Sequence, residues 1–306
     1  MKRCLITGAS GFVGANLARR LLHDGHETHV LLRPEHQPWR LQEIASQLRS
    51  HAVDLTDAAQ VGETVQRIRP DWVFHLAAYG AYSSQTGFAR MADINVKGAA
   101  SLLDACADTG VEAFVYTGSS SEYGYKDHPP QEDEVLEPNS HYAITKAAAT
   151  HYCQFVARTR DINAVAVRLY SIYGPYEDPS RLLPTLIAKG LRGELPPLVS
   201  PTTARDFVYV DDAVDALLAV AQKSPPRGAV YNLCSGTQTS IAYVIETARK
   251  LMNIAVEPVW SSMERRSWDT DIWVGAPGRM AEQIGWRAAI DFAEGLRRMI
   301  EWTRSR

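Results

Sequence analysis

Several features that would mark particular classes of protein are missing from this sequence. Its four cysteines in 306 residues show no C-x-x-C spacing, so neither a zinc site nor a disulfide framework is indicated and we expect four core residues. No run of about 18 apolar residues occurs, and the apolar stretch near the start is too short for a secretory signal. The 32 Lys and Arg nearly balance the 35 Asp and Glu, without a strongly basic stretch. We therefore expect a cytoplasmic protein that binds small molecules rather than nucleic acid or a membrane.

The first forty residues predict a β-α-β unit. "RCLITGASGFVGANLARRLLHDGHETHVLLR" contains a strand, a glycine turn, an amphipathic helix to about Asp24 and a second strand that ends near Arg33. In the turn, Gly8, Gly11 and Gly14 follow the spacing G-x-x-G-x-x-G, which permits a tight bend, close approach of a pyrophosphate and close packing of helix on strand. Because a helix N-terminus favours anions, the turn predicts a dinucleotide site.

The residue that closes the second strand bears on which dinucleotide binds. A carboxylate at this position would accept hydrogen bonds from the ribose 2′-OH of NAD, whereas an arginine can pair with the 2′-phosphate of NADP. Arg33 occupies the position, Arg40 follows in the same loop, and Glu35 is interpreted as a solvated loop charge. NADP(H) is therefore favoured over NAD(H); alternatively, Arg33 only caps the strand edge.

Strands and helices keep alternating after this unit. We predict a third strand in "SHAVDLTD", a fourth in "PDWVFHLAA", a helix in "INVKGAASLLDACADTG" and a fifth strand in "VEAFVYTGSSSEYG". This order predicts an α/β fold with a doubly wound parallel sheet, in which ligands bind beyond the carboxyl ends of the strands. Ala77 and Ala78 at one such end either let a cofactor pass close to the backbone or simply pack, and His75 is interpreted as a hydrogen-bonded core residue.

A tyrosine and a lysine lie four residues apart in "HYAITKAAA". Tyr142 and Lys146 share one face of the predicted helix, so the ammonium can reach the neighbourhood of the phenol. A nearby cation favours the phenolate, and we expect it to lower the pKa of Tyr142 toward the range of a general acid or base. Taken alone, the same spacing also fits an exposed helical turn.

Eight motifs in order connect these stretches to a known family: "TGASGFVG", "VDLTD", "HLAAYG", "NVKG", "GSSSEYG", "YAITK", "RLYSIYGP" and "RDFVYVDD". The chain resembles the extended short-chain dehydrogenase/reductases, specifically the NAD(P)-dependent epimerase/dehydratase family that acts on nucleotide sugars. The resemblance covers nearly the whole chain. It implies a Rossmann domain and a smaller C-terminal α/β domain that binds substrate.

The resemblance also implies roles for individual residues. Tyr142 is expected to be the catalytic acid/base, Lys146 to lower its pKa and bind the nicotinamide ribose, and Ser119 to hydrogen-bond the reacting sugar oxygen, with Ser120 as the alternative. Asn95 is expected to be a structural or cofactor-side polar group. The candidate cofactor-binding residues are Gly8, Ser10, Gly11, Phe12, Val13, Gly14, Arg33, Asp54, Leu55, Leu76, Ala77, Ala78, Tyr142, Lys146 and Tyr170.

The second half of the chain has the composition expected of a substrate domain, with prolines and short elements. We predict a dinucleotide-binding domain over 1–168 plus about 207–234, and a nucleotide-sugar domain over 169–206 and 235–306. The candidate substrate-binding residues are Ser120, Ser171, Arg205 and Arg266. By resemblance the two arginines hold the nucleotide diphosphate, a task that suits the planar guanidinium; each is otherwise a surface ion-pair partner. Relatives often carry Asn in place of Ser171, and a homodimer is expected.

Three functions fit these residues. The first is reduction of the 4-keto group of a nucleotide-linked 6-deoxyhexose by NADPH, in deoxysugar or surface polysaccharide biosynthesis. The second is a 4-epimerase, or a 4,6-dehydratase, with retained NAD; the dehydratase is disfavoured because Ser121 stands where relatives carry an acidic residue, unless a loop shift brings Glu122 into use. The third is a non-catalytic NADP(H)-binding regulator.

Overall fold

A computed structural model describes residues 1–37, 39–82, 84–263 and 271–306 of the protein. Within these ranges the strands are β1 Arg3–Thr7, β2 Glu27–Leu32, β3 Arg49–Ala52, β4 Trp72–His75, β5 Ala113–Ser119, β6 Ala164–Leu169, β7 Ser171–Tyr173, β8 Ala204–Tyr209, β9 Val230–Leu233 and β10 Gln238–Ser240. The helices are α1 Phe12–His23, α2 Ala58–Ile68, α3 Phe88–Ala92, α4 Gly98–Thr109, α5 His141–Thr159, α6 Leu182–Gly190, α7 Val210–Lys223, α8 Ile241–Met252 and α9 Phe292–Arg304.

Seven strands form one parallel sheet in the order β3-β2-β1-β4-β5-β6-β9. Its order reverses on either side of β1, so β1 and β4 flank the switch point where such sheets bind ligands. A second sheet has the order β10-β8-β7, with β7 parallel and β10 antiparallel to β8. The predicted doubly wound parallel sheet is confirmed, while the division into two domains stays a prediction.

Apolar helix faces cover both sides of the large sheet. Leu17 of α1 and Leu217 of α7 belong to the core on one side, and Val65, Leu102 and Val156, from α2, α4 and α5, to the core on the other. All four cysteines are buried, as the sequence predicts. A third core lies beneath the small sheet and includes the inward face of α9, formed by Leu296, Met299 and Ile300. The described residues contain no helix with the length and apolar character needed to cross a membrane.

Two element boundaries differ from the prediction. The third strand ends at Ala52, because the Asp54 carboxylate accepts hydrogen bonds from the backbone and side chain of Thr56 and turns the chain before Asp57 caps α2. The helix predicted at 94–110 is preceded by helical residues from Phe88, joined to α4 by a π-helical segment, Asp93–Lys97. Such π segments occur frequently at functional sites.

Two glycines in helices offer a matched test of the glycine turn. A Cβ on Gly14 of α1 would lie 2.3 Å from the Gly8 carbonyl oxygen, whereas a Cβ on Gly62 of α2 would meet nothing within 4 Å. We expect Gly62→Ala to raise the free energy of unfolding by about 0.5–1 kcal/mol, because alanine favours helix. Gly14→Ala should lower it by about 1–3 kcal/mol, because the turn must shift. Urea unfolding measures both, and equal effects of the two substitutions would contradict the close packing at Gly8.

Candidate active site

The glycine turn lies between β1 and α1 and is packed against the end of β4. Gly8 has φ +74°, its carbonyl accepts from the Gly11 N–H at 2.9 Å, and a Cβ on it would lie 2.6 Å from the Ala77 nitrogen. Gly11 is the N-cap of α1 and provides no side chain to cap the helix N–H groups. Because side chains are excluded and helix N–H groups are available, these residues fit a dinucleotide pyrophosphate.

The candidate adenosine-side residues lie at neighbouring strand ends. Arg33 directly follows β2 and is exposed, while Asp54 and Leu55 follow β3. Hydrogen bonds from Thr56 lower the pKa of Asp54, and the nearby Arg33 cation lowers it further. Arg33 and Asp54 therefore lie at the carboxyl ends of neighbouring strands, while their roles in binding the dinucleotide stay predictions.

Ser119 and Tyr142 meet at the end of β5. Ser119 is the last residue of that strand, and Tyr142 lies in the first turn of α5, which Ser140 caps by accepting from the Ala143 N–H at 3.1 Å. The Ser119 side chain lies close enough to Tyr142 to act against the rise in pKa that burial causes there. Its Oγ also accepts from the Ser121 N–H at 3.2 Å, whereas Ser120 lies in the short 3₁₀ turn Ser120–Tyr123 that follows. Of the two candidate serines, Ser119 is therefore the one that contacts Tyr142.

The expected lowering of the pKa of Tyr142 is wrong for the protein as described. Burial raises its pKa to about 12, the hydrogen bond from Ser119 opposes this rise, the Glu122 carboxylate adds to it and Arg181 opposes it. The Lys146 ammonium instead donates to the Thr117 carbonyl at 2.5 Å and lies 4.4 Å from the centre of the Tyr116 ring. Burial lowers the pKa of Lys146 to about 8. At neutral pH the phenol therefore carries its proton, as a general acid must.

Glu122 is wholly buried beneath this pair. One carboxylate oxygen accepts from the Ser119 N–H at 2.8 Å and the Thr150 hydroxyl at 3.0 Å, and the other accepts from Arg168 Nε at 2.8 Å. With both oxygens engaged, Glu122 is a structural anchor for the serine, and the loop shift that would make it an acid for dehydration is not found. The sequence shows no signal for this pairing, since Arg168 follows 46 residues later.

Asn95 links the loop after β4 to α5. Its side chain accepts from the Tyr79 N–H and donates to the Tyr79 carbonyl, both at 2.7 Å, and donates to the Thr145 hydroxyl at 2.9 Å. It thereby fixes the segment that carries Leu76, Ala77 and Ala78, so the structural interpretation of Asn95 fits the geometry. His75, with Nδ1 2.6 Å from the Thr7 hydroxyl and no exposed surface, is a core residue as predicted.

The remaining candidate residues that the structure describes lie in or next to several different strands. Tyr170 is buried beside Cys234 and Gly275, its hydroxyl without a partner among the described residues, and burial raises its pKa. Ser171 begins β7 and is half-buried. Arg205 of β8 donates to the Ala204 carbonyl at 2.7 Å, with its guanidinium 5.6 Å from the Trp273 ring. Arg266 lies outside the described residues.

Three residues without a predicted role lie near the site. Glu177 and Arg181 precede α6, and Arg40 lies in the loop after β2. Arg181 is close enough to lower the pKa of Tyr142, and it donates to the Ala81 carbonyl at 2.8 Å. Glu177 and Arg40 each have a buried side-chain atom without a partner among the described residues. For Arg181 and Glu177 the sequence offers only the proline-rich stretch "GPYEDPSR", and it places Arg40 only in the same loop as Arg33.

Comparison with known proteins identifies the family to which the chain belongs. A profile of the NAD-dependent epimerase/dehydratase family matches residues 4–234. The chain belongs to this family. The predicted family, which acts on nucleotide sugars, is confirmed, and so is an extended short-chain dehydrogenase/reductase fold with a nicotinamide dinucleotide as its cofactor. The family is NAD-dependent, and the comparisons do not support a preference for NADP(H).

Similar proteins in this family cover nearly the full length of the chain. MoeE5, solved with UDP-glucuronic acid and NAD, is 31% identical, with 99% of each chain covered and a TM-score of 0.87. The UDP-glucose 4-epimerase of Thermotoga maritima, solved with UDP-glucose, is 25% identical, with 99% of this chain and 98% of its own covered and a TM-score of 0.89. The dTDP-glucose 4,6-dehydratase of Salmonella typhimurium is 25% identical over an alignment of 333 positions, gaps included, which covers 98% of this chain and 92% of the relative.

The buried Glu122–Arg168 pair provides a test of the anchor. Arg168→Met leaves the carboxylate buried and unpaired, and we expect it to lower the free energy of unfolding by about 3–5 kcal/mol. The double variant Glu122→Gln/Arg168→Met should be less destabilised than the sum of its single variants, because neither charge is left alone. Urea unfolding measures both.

The exposed pair Lys2–Glu112 serves as the control for this comparison. Its side chains are 34% and 53% exposed, and Glu112→Gln should change the free energy of unfolding by less than about 1 kcal/mol. Additive effects of Glu122→Gln and Arg168→Met would contradict a coupled buried pair.

Proposed function

We propose that the protein uses a reduced nicotinamide dinucleotide to convert the 4-keto group of a nucleotide-linked 6-deoxyhexose into an alcohol. The observation that carries this proposal is the proximity of Ser119 to Tyr142, together with the burial that raises the pKa of Tyr142 and keeps the phenol protonated at neutral pH. Reduction of a ketone requires one hydride at carbon and one proton at oxygen. A protonated phenol beside a second hydroxyl donor is suited to the proton half of that reaction.

In this proposal Ser119, Tyr142 and Lys146 form a catalytic trio. Ser119 and Tyr142 act at the sugar C4 oxygen, and Lys146 acts on Tyr142. Ser119 donates a hydrogen bond to the oxygen, Tyr142 transfers its proton to it, and Lys146 places a positive charge below Tyr142. A bound reduced nicotinamide would supply the hydride. Ser119 and Lys146 are buried and Tyr142 is half-buried, so little water reaches these side chains and each of these interactions is strengthened.

Engagement of Glu122 by Ser119, Thr150 and Arg168 favours reduction over dehydration. Removal of water across C5 and C6 requires a further acid and base near the sugar. By the family resemblance Ser121 stands where an acidic residue is expected, and both oxygens of Glu122 already accept hydrogen bonds. The proposal also includes Arg205 and Arg266 at the nucleotide diphosphate, a homodimer and a cytoplasmic location.

For the dinucleotide we propose NADP(H), because Arg33 and no carboxylate directly follows β2. Replacement of Arg33 by Ala should weaken NADPH binding about tenfold or more, since it removes a charged hydrogen bond to the 2′-phosphate, and should leave NADH binding unchanged. Fluorescence titration of the purified protein measures both. Preferential NADH binding that ignores Arg33 would contradict the proposal and point to NAD, the cofactor solved with MoeE5.

A 4-epimerase is the second candidate, because several of the similar proteins carry that name, among them those of Thermotoga maritima and Mycolicibacterium smegmatis. An epimerase would use the same trio and retain its dinucleotide through both half-reactions. The two candidates differ in net redox change, since only the reductase consumes the dinucleotide. A non-catalytic regulator is disfavoured by the retention of both Tyr142 and Lys146.

Turnover assays test the proposed reaction. With nucleotide-linked 4-keto-6-deoxyhexoses we expect oxidation of NADPH that falls about 100-fold or more in Tyr142→Phe, because general acid catalysis contributes about that much. Tyr243→Phe, at an exposed tyrosine of α8, is the matched control and should retain full activity. Absence of NADPH oxidation with every such sugar, together with interconversion of 4-hydroxy sugars, would replace the reductase by the epimerase.

The pH dependence of reduction follows from the buried lysine. Since the pKa of Lys146 is lowered to about 8, the rate of sugar reduction should fall as the pH rises through about 8 and the ammonium is lost. The Glu122 carboxylate opposes this lowering, so Glu122→Gln should move the alkaline decline to lower pH. The profile of kcat/KM against pH measures the shift. If the alkaline decline of kcat/KM does not move in Glu122→Gln, a group other than Lys146 controls the loss of rate at high pH.

A further inference from the structure

Arg40 is a buried cation in the loop after β2. Its side chain is 7% exposed, its guanidinium lies 4.2 Å from the centre of the Trp39 ring, and Nε donates to the Tyr176 carbonyl at 2.7 Å. Nη1 donates to the Ser10 carbonyl at 3.3 Å. Nη2 is buried and has no hydrogen-bond partner among the described residues.

No carboxylate of the described residues hydrogen-bonds this guanidinium or forms an ion pair with it. Burial lowers the pKa of Arg40, although Asp178 lies close enough for its charge to oppose this lowering. Burial raises the pKa of Glu177 to about 8, which leaves Asp178 as the charged carboxylate in the adjoining loop, without a hydrogen bond to Arg40. An unpaired buried charge is strongly destabilising, which is why buried arginines in proteins have an anionic partner.

The position of Arg40 identifies where such an anion would bind. Ser10, whose carbonyl it contacts, belongs to the glycine turn that precedes α1. Tyr176, its other backbone partner, has φ +70° and is held from the opposite side by Arg19, whose guanidinium lies 3.8 Å from the Tyr176 ring. Two fixed carbonyls thus orient the guanidinium beside the turn, with both Nη2 hydrogens left over.

We propose that Arg40 binds a phosphate group of the dinucleotide with Nη2, adding a side-chain cation to the backbone cradle of the glycine turn. The inference rests on the proposed dinucleotide function and extends it to a residue outside the glycine motif. Two phosphate groups have the required chemistry: the diphosphate, which NAD and NADP share, and the 2′-phosphate, which only NADP carries. Because Ser10 lies in the turn that faces the diphosphate, we expect the diphosphate to be the partner.

The same contacts link the glycine turn to the loop that leads to Arg181. Arg40 joins the glycine turn to the backbone of Tyr176, and the loop continues from there to Arg181, the residue that influences the pKa of Tyr142. A phosphate on Arg40 would therefore fix the start of the loop that leads to the active-site phenol.

Nucleotide binding to Arg40→Met tests the proposal without reference to turnover. The probes are ADP-ribose, which has the diphosphate alone, and 2′-phospho-ADP-ribose, titrated by calorimetry. We expect about a tenfold or greater loss of affinity for both probes, because a charged hydrogen bond is lost in each case. Loss confined to 2′-phospho-ADP-ribose would assign Arg40 to the 2′-phosphate instead and would overturn its assignment to the diphosphate.

Two further measurements separate ligand binding from a purely structural role. Arg19→Met removes a cation that lies on the Tyr176 ring and should leave both affinities unchanged. Thermal unfolding of ligand-free Arg40→Met should show an unchanged or raised melting temperature and a smaller stabilisation by ADP-ribose than in the unmodified protein. Unchanged affinities together with a lower melting temperature would overturn the proposal. Arg33→Ala in the same series tests the NADP preference separately, because it alters neither the glycine turn nor Arg40.

Discussion

The position of the candidate active site depends on one buried carboxylate. Glu122 holds the N–H of Ser119 at the end of β5, the hydroxyl of Thr150 on α5 and the guanidinium of Arg168 on β6. Gly118 leaves room for it, since a Cβ there would lie 2.6 Å from the nearer carboxylate oxygen. Strand and helix are thereby joined at the point where the serine must face the tyrosine, and a shift of either would separate the two hydroxyls.

The same carboxylate sets the electrostatics around the trio. Its negative charge raises the pKa of Tyr142 and opposes the effect of burial on the pKa of Lys146. A neutral phenol above a cationic lysine is the combination that proton donation to a ketone requires. Beside the glycine turn, Arg40 is a buried cation whose Nη2 has no hydrogen-bond partner among the described residues, and the proposed phosphate contact would provide one.

Much of this arrangement could be predicted from the sequence because its signals are local. The glycine turn, the alternation of strands and helices and the Tyr142–Lys146 spacing each lie within a few consecutive residues. The remainder depends on contacts between distant segments: Glu122 with Arg168, Asn95 with Tyr79 and Thr145, and Arg40 with Ser10. Helical spacing placed Lys146 beside Tyr142 but could not show that its ammonium binds the Thr117 carbonyl, which is why the pKa of the tyrosine was predicted in the wrong direction.

The central claim is net transfer of a hydride to the sugar, with Tyr142 as the proton donor. The most direct measurement follows deuterium from NADPH labelled at the transferable C4 position, with the released sugar and dinucleotide analysed by mass spectrometry. Net reduction should leave one deuterium at C4 of the released sugar and form stoichiometric NADP⁺, and both should be lost in Tyr142→Phe. Epimerised sugar released with unlabelled C4, and with no net oxidation of the dinucleotide, would contradict it.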